Sequence, residues 1–363
     1  MERYIYEYPA WPEFRWDERA LHPVFGEVRQ LQGRVLGKME TLGFRARQEA
    51  GLDNLSLDVV KSSEIEGEKL NIRQVRSSIA RKLGMDHPGS ARPARHVEGI
   101  VEMMLDATRN FREPLAHERL FAWHAALFPS GYSGLYKIET ARYRSGSMQI
   151  VSGPMGREKV HFEAIAAARV HQEMDLFLDW VNGDHAIDPV IKAAIAHFRF
   201  IIIHPFDDGN GRIARALSDL LLARAENSAE RFYSMSASIM AKRSQYYAVL
   251  QRVQHSDGDI TEWLDWFLHT MKHALRNTEK ITEAVLKKAD FWHEHEHVAL
   301  NQRQRKVLNK MLDREEAQLR SSHYARMAKC SSDTALRDIK DLVQKGILKQ
   351  RESGGRSTAY KLA

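Results

Sequence analysis

Cysteine is almost missing from this chain: Cys330 is the only one in 363 residues. An intramolecular disulfide and a cysteine-built zinc site are therefore excluded, and the usage fits a reducing cytoplasm. Long apolar runs are missing too. Ile201-Ile202-Ile203 follows Arg199 and falls far short of the roughly 20 residues a membrane helix needs. Met1-Glu2-Arg3-Tyr4 shows no basic stretch leading into an apolar one, so no signal peptide is expected. There is no internal repeat and no low-complexity tract. No Gly-Lys-Ser/Thr follows a glycine-rich loop, which excludes a Walker phosphate loop. What remains is an ordinary globular composition, 43% hydrophobic and 28% charged, able to bury a sizeable core. A cytoplasmic protein without membrane contact is expected.

Charge is lopsided. Residues Asn301–Ala363 hold 15 Lys/Arg against 7 Asp/Glu, so they carry more than the whole formal charge of +6. A compact basic end suggests an anionic partner, most often nucleic acid; a solvated basic surface is the plainer alternative. Helical periodicity dominates the rest. Ile72, Val75, Ile79 and Leu83 recur at helical spacing between Asn71, a candidate N-cap, and Gly84. The loop Asp86-His87-Pro88-Gly89-Ser90 separates a helical N-terminal domain, 1–86, from a central domain, 87–273. A polar connecting helix, 274–300, leads to the last domain, 301–363. There Gln304–Leu312, Ser321–Ala328 and a helix capped by Ser332 with the apolar stripe Leu336, Ile339 and Val343 precede a β-wing. That order predicts a winged helix-turn-helix, binding DNA through Ser332, Thr334, Arg337 and Lys340, with Arg351 and Arg356 on the wing. Asp338 and Asp341 dilute its charge. Winged helices also dock proteins or form homodimers, which is the alternative. The fold class is mainly α.

The chemistry concentrates in His204-Pro205-Phe206-Asp207-Asp208-Gly209-Asn210-Gly211-Arg212, followed by Arg215. A helix ends at Ile203, because Pro205 cannot continue it. Two glycines let the backbone turn tightly and approach a ligand. A new helix then begins near Gly211, and its unpaired N–H groups and dipole make an anion site suited to phosphate. Arg212 and Arg215 share a helix face and reach the same anion. Asp208 offers a hard oxygen for Mg²⁺, and His204 a base near neutral pH. A capped helical corner accounts for any one of these residues alone, but not for all of them together.

This run resembles the Fic family signature, HPFxxGNGRxxR with an acid at its fifth position, and His197–Ile203 resembles the family's lead-in helix. The resemblance implies a Fic-type helical core and AMP transfer from ATP to Tyr, Ser or Thr hydroxyls of target proteins and of the chain itself. His204 would be the general base, and Asp208 would hold Mg²⁺. Gly209, Asn210 and Gly211 would hold the α-phosphate, and Arg212 and Arg215 the β- and γ-phosphates. Gly211 stands where the kinase-like branch has lysine, which favours AMP transfer over phosphorylation. The hairpin Gln149-Ile150-Val151-Ser152 to Val160-His161-Phe162 resembles the family's flap, whose strand edge would align a target segment. Tyr246-Tyr247 and Gln254 resemble the base-pocket helix, although the family commonly has asparagine in place of Gln254; two helical tyrosines also suit a core.

Ser62-Ser63-Glu64-Ile65-Glu66-Gly67 matches the family's inhibitory motif. The resemblance implies that Ser62 and Glu66 are inhibitory residues, and that Glu66 pairs with Arg215 and occupies the γ-phosphate subsite. Phe14-Arg15-Trp16 and Val75–Ala80 resemble the N-terminal domain that accompanies this class. Two alternatives remain: a transcription regulator whose Fic core senses nucleotide, and an enzyme that also removes AMP. His293-Glu294-His295-Glu296-His297 formally matches the zinc pattern HExxH, but its polar surroundings and missing third ligand favour a solvated helix.

Overall fold

Helical periodicity becomes fifteen helices in the computed structural model, which describes residues 3–41, 43–85, 94–152, 159–312, 319–350 and 358–363. Strands among the described residues form only three two-stranded antiparallel hairpins. A short 3-10 helix, Ile5–Glu7, is followed by α1 (Glu18–Glu40), α2 (Phe44–Ile65) and α3 (Ile72–Lys82). Asp17 caps α1 by accepting from the Arg19 and Ala20 N–H groups. Asn71 caps α3 through Arg73 and Gln74 in the same way. Next come α4 (Arg95–Arg109), α5 (His117–Leu127) and the small hairpin β1 (Tyr132–Ser133)–β2 (Tyr136–Lys137). The second hairpin pairs β3 (Gln149–Ser152) with β4 (Lys159–Glu163); the turn Gly153–Gly156 lies outside the described residues. Then follow α6 (Ala167–Asn182), α7 (Pro189–Ile203), α8 (Asn210–Glu226), α9 (Met235–Ala241), α10 (Arg243–Val253) and α11 (Thr261–Glu294).

The helix α7 is apolar on every side, and twelve of its residues are buried, as expected of a helix at the centre of a core. Pro189 opens it, with the Asp188 carboxylate accepting from the Val190 N–H. Helix α8 packs on α7 and is buried from Ile213 to Ala223. One apolar core runs from Ile5 to Leu275 around this pair. Residues Met1–Thr278 accordingly form one compact unit that spans the 86/87 boundary expected from the sequence. The sequence division there rested on a loop, Asp86–Ser90, that lies outside the described residues; Val28, Val59 and Val75 share the core with Ile100 and Leu220.

Residues Glu279–Ala363 form the second unit. It holds α12 (Gln302–Leu312), α13 (Ser321–Ala328), α14 (Ser332–Gln344) and the hairpin β5 (Leu348–Gln350)–β6 (Tyr360–Leu362). The α14 stripe sits one residue away from the expected one. Ala335, Ile339 and Leu342 are buried, while Leu336 and Val343 stand 41% and 36% exposed. The offset arises because Asp338 belongs to the inner face: it accepts from Arg303, Asn301 and Tyr324. The cap is Ser331, not Ser332, because the Ser331 hydroxyl accepts from the Thr334 N–H. Helix α11 ends at Glu294, so His293 and His297 do not share a helical face, and both are strongly exposed. No helix among the described residues is long and apolar enough to cross a membrane.

Candidate active site

His204 terminates α7 in the left-handed conformation, φ 50°, which costs a non-glycine residue roughly 1–2 kcal/mol. Arg144 offsets that cost. Its buried guanidinium donates to the carbonyl oxygens of His204 (2.8 Å), Gly146 (2.9 Å) and Ile165, and its own N–H donates to the Pro205 oxygen. The end of α7, where carbonyls lack partners, is thus closed by a cation. The His204 Nδ1 lies 3.2 Å from the Ile201 carbonyl oxygen. A carbonyl only accepts, so Nδ1 carries the proton and Nε2 keeps a lone pair in the neutral ring. Burial pushes the imidazole pKa down to about 4, so His204 is neutral at pH 7 and able to take a proton.

The loop that follows is fixed from several sides. Asn210 is buried, and its amide both accepts from the Phe206 N–H (2.9 Å) and donates to the Phe206 oxygen (2.7 Å). Its side chain therefore clamps the loop. Gly209 has φ +82°, and a Cβ there would meet the Phe128 ring at 2.9 Å, so this position needs glycine twice over. His124, stacked on Phe206, accepts from the Ala141 N–H and faces the Asp208 carbonyl through Nε2. Burial pushes its pKa down to about 4. The Asp208 carboxylate accepts from Ser133 and from the Gly209 N–H and is 43% exposed. One carboxylate beside an anion cradle is the donor set Mg²⁺ takes when it arrives with substrate phosphates, so Asp208 fits that ion.

Helix α8 starts at Asn210, with its first turn forming the cradle. Arg212 and Arg215 in its first two turns are both buried, 8% and 1% exposed. Arg215 donates from Nε to the Ser62 hydroxyl (2.9 Å) and from Nη2 to the Ser62 carbonyl (2.9 Å) and the Glu66 Oε1 (2.8 Å). Arg212 lies over the Phe128 ring at 5.0 Å and donates from Nη1 to Glu68 at 3.1 Å. One nitrogen of each arginine, Arg212 Nε and Arg215 Nη1, is buried without a partner. Glu66 is the C-cap of α2, followed by Gly67 in the left-handed conformation. Its Oε1 lies where a Cβ on Gly211 would be, 2.2 Å from that position. The carboxylate thus rests on the first turn of α8, in the place the cradle offers an anion.

Gly211 is also where the cradle meets a cavity of about 560 Å³, lined by Ile150, Val151, His204, Tyr247, Gln254 and Glu66 among others. Ile150 and Val151 are neighbours, yet both line it. A bulge between them breaks the alternation of the strand. Gln149 is not in the lining; its amide reaches the Glu163 carboxylate. Ser152 ends β3, paired with Lys159. Tyr246 presents its ring to the cavity, but its hydroxyl turns into the core and bonds His197 Nε2 at 2.9 Å. Tyr247 is half-exposed, its hydroxyl 3.5 Å from Glu66 Oε2. Gln254 donates to the His161 carbonyl at 2.7 Å, tying α10 to the flap strand. Sequence reasoning missed Arg144, His124 and Glu68. Only Glu68 left a signal, a second acid two residues after Glu66.

Two family descriptions match the chain. Residues 114–222 match the Fic/DOC family, and residues 4–85 match a domain of unknown function, DUF4172. Among curated proteins, 114 residues are 30% identical to protein adenylyltransferase fic-1 of Caenorhabditis briggsae, covering 28% of this chain and 22% of that one. Over 89 residues the identity to protein adenylyltransferase Fic of Drosophila willistoni is 39%, covering 24% of this chain and 16% of that one. The match thus spans about a fifth of these relatives' length. A crystal structure of a Fic family protein from Desulfovibrio desulfuricans G20 shares the fold along 96% of this chain and 97% of that one, with a TM-score of 0.54 at 23% identity. The residues that build the cradle thus lie in a Fic/DOC domain, 114–222, within a chain that shares the fold of a Fic family protein along nearly its whole length.

Proposed function

We propose that the chain is a protein adenylyltransferase held in check by Glu66. The observation that carries this reading is the junction at Gly211, where a cavity large enough for a nucleoside meets a helix N-terminus between two buried arginines. ATP would place its base and ribose in the cavity and its phosphates on the first turn of α8. Arg212 would take the β-phosphate and Arg215 the γ-phosphate. Asp208 would hold Mg²⁺, which supplies charge neutralisation on the phosphates. A target hydroxyl, aligned along the flap strand, would give its proton to His204 Nε2 and attack the α-phosphorus. A new oxygen–phosphorus bond forms, the α–β bridging bond breaks, and pyrophosphate leaves. The residues contribute position and fixed charge. The curated relatives named protein adenylyltransferase support the same activity.

Label from α-³²P-ATP, and none from γ-³²P-ATP, is expected on protein, including on the chain itself. Incubation with lysate and gel autoradiography reads the result; γ-label on protein would make the enzyme a kinase and end this reading.

A second reading concerns the C-terminal unit as a winged helix on duplex DNA. Asp338, one of the acids that diluted the charge of α14, turns inward onto Arg303, and Asp341 pairs with Lys345 and Gln304, while Arg337 and Lys340 stay exposed. Replacing both by alanine in the full chain should weaken duplex binding and lower the slope of log affinity against log salt by about 2. Arg351 and Arg356 lie outside the described residues. A full chain that shows no duplex binding at low salt but elutes as a stable dimer would make this unit a docking module.

A further inference from the structure

The turn that delivers Glu66 to Arg215 delivers a second carboxylate two residues later. Glu68 Oε2 accepts from Arg212 Nη1 at 3.1 Å, and its other oxygen lies 4.0 Å from His96 Nε2. Arg212 is 8% exposed, and a buried guanidinium needs a compensating charge. Two carboxylates compete for that role. Asp208 stands one helical turn earlier, 4.0 Å from Arg212 Nη2, a separation that a small side-chain rotation would close into a direct pair. Such a pair would disable two functional groups at once: the arginine would lose its reach toward phosphate and the aspartate its reach toward a cation.

We infer that Glu68 is a positioning residue for the phosphate site: it holds the Arg212 guanidinium away from Asp208. This rests on the assignment of Arg212 to the β-phosphate. Three contacts fix the guanidinium. The Phe128 ring lies against its face, Glu68 takes one Nη1 proton, and the helix holds its stem. One nitrogen is left over: Nε is buried and has no partner. An arginine with five donors can satisfy a structural carboxylate and still present others to an anion. A phosphate that binds here meets a guanidinium already in place, so ordering this long side chain costs it little.

The same geometry separates Glu68 from Glu66. Glu66 Oε1 rests on Gly211, inside the cradle, so removing it opens the site. Glu68 is held at the Arg212 edge and is absent from the cavity lining, so removing it loosens an arm of the site. The two acids, two residues apart in the chain, therefore act with opposite sign.

The test is nucleotide binding by calorimetry in the full chain with Glu66→Gly, so that the neighbouring carboxylate does not compete. Adding Glu68→Ala should weaken ADP and ATP binding by roughly tenfold, the scale of one charge-assisted contact, while AMP, which has no β-phosphate, binds as before. Unchanged AMP binding also reports an intact fold. Glu68→Gln keeps an acceptor oxygen and should fall between. An ADP-to-AMP affinity ratio that stays constant, or ADP binding that tightens, overturns the inference and makes Glu68 inert or a second competitor. A Glu66→Gly chain that binds no adenine nucleotide at all sinks the parent reading instead.

Discussion

The Glu66→Gly enzyme is expected to transfer AMP at least about tenfold faster than the parent. In the parent, the Glu66 carboxylate sits 2.8 Å from Arg215 Nη2 and on the backbone of Gly211. It therefore holds both the arginine and the helix N-terminus that an incoming phosphate needs. A charge-assisted pair of this kind is worth on the order of 1.5–3 kcal/mol, and about 1.4 kcal/mol corresponds to a factor of ten in rate. Glycine removes the competitor and leaves His204, Asp208 and Arg212 unchanged. Arg215 keeps its two bonds to Ser62, so it stays in place with Nη1 and part of Nη2 available. The gain should appear mainly in kcat, because the defect is the pose of the phosphates. Steady-state kinetics with a fixed target protein measures it. Equal kcat in the two enzymes would leave the end of α2 with a packing role only.

His204→Ala should lower transfer by roughly 10²–10⁴-fold, the range of a general base, with ATP binding retained. The ring lines the cavity but holds the Ile201 carbonyl through Nδ1, so its loss removes a proton acceptor and little else from the nucleotide's surroundings. The pH profile carries a second signature. Burial holds the imidazole pKa down at about 4, so the neutral, active form persists from pH 8 to about pH 5. The kcat/KM of the free enzyme should stay flat over that range and fall only as pH drops through the value of the folded state. An acid limb centred at 6.5, the ordinary histidine value, would mean an exposed ring in solution and another arrangement at the end of α7.

The sequence made some of this legible and hid the rest, for physical reasons. The anion cradle could be read because its parts are consecutive: a proline that stops one helix, glycines that turn, and a second helix that starts. The helix limits Ser321–Ala328 followed from periodicity and agree with the structure. The stripe of α14 did not, because a polar residue, Asp338, sits among the buried positions; two adjacent stripes then fit the apolar pattern equally well. Arg144 and His124 were invisible, since a side chain that satisfies backbone oxygens far away in sequence leaves no spacing to detect. The bulge at Ile150/Val151 is equally silent, yet it decides which flap residues face the cavity. The pairing of Glu66 with Arg215 joins residues 149 positions apart, and only the family resemblance suggested it.

The helix that carries Glu66 belongs to the same compact unit as the cradle its carboxylate rests on. Asp58, two turns before Glu66, accepts from the Ser234 hydroxyl and the Ser236 N–H of the α9 start, and Arg243 donates to the Ile65 carbonyl at 2.6 Å. If Glu66 is the brake proposed above, inhibitor and site are one molecule, and dilution cannot part them. The carboxylate faces Arg215 at a local concentration that sample preparation does not change, millimolar or higher for groups tethered this closely. Latency of this kind is a set point. It stays constant as expression rises or falls, it is indifferent to oligomer dissociation, and raising ATP moves it only as far as ATP outcompetes a ligand that never diffuses away. A signal that switches the enzyme on must act on the end of α2 itself, by loosening the Asp58 or Arg243 tether, and its strength would be read as the fraction of molecules whose tether is open.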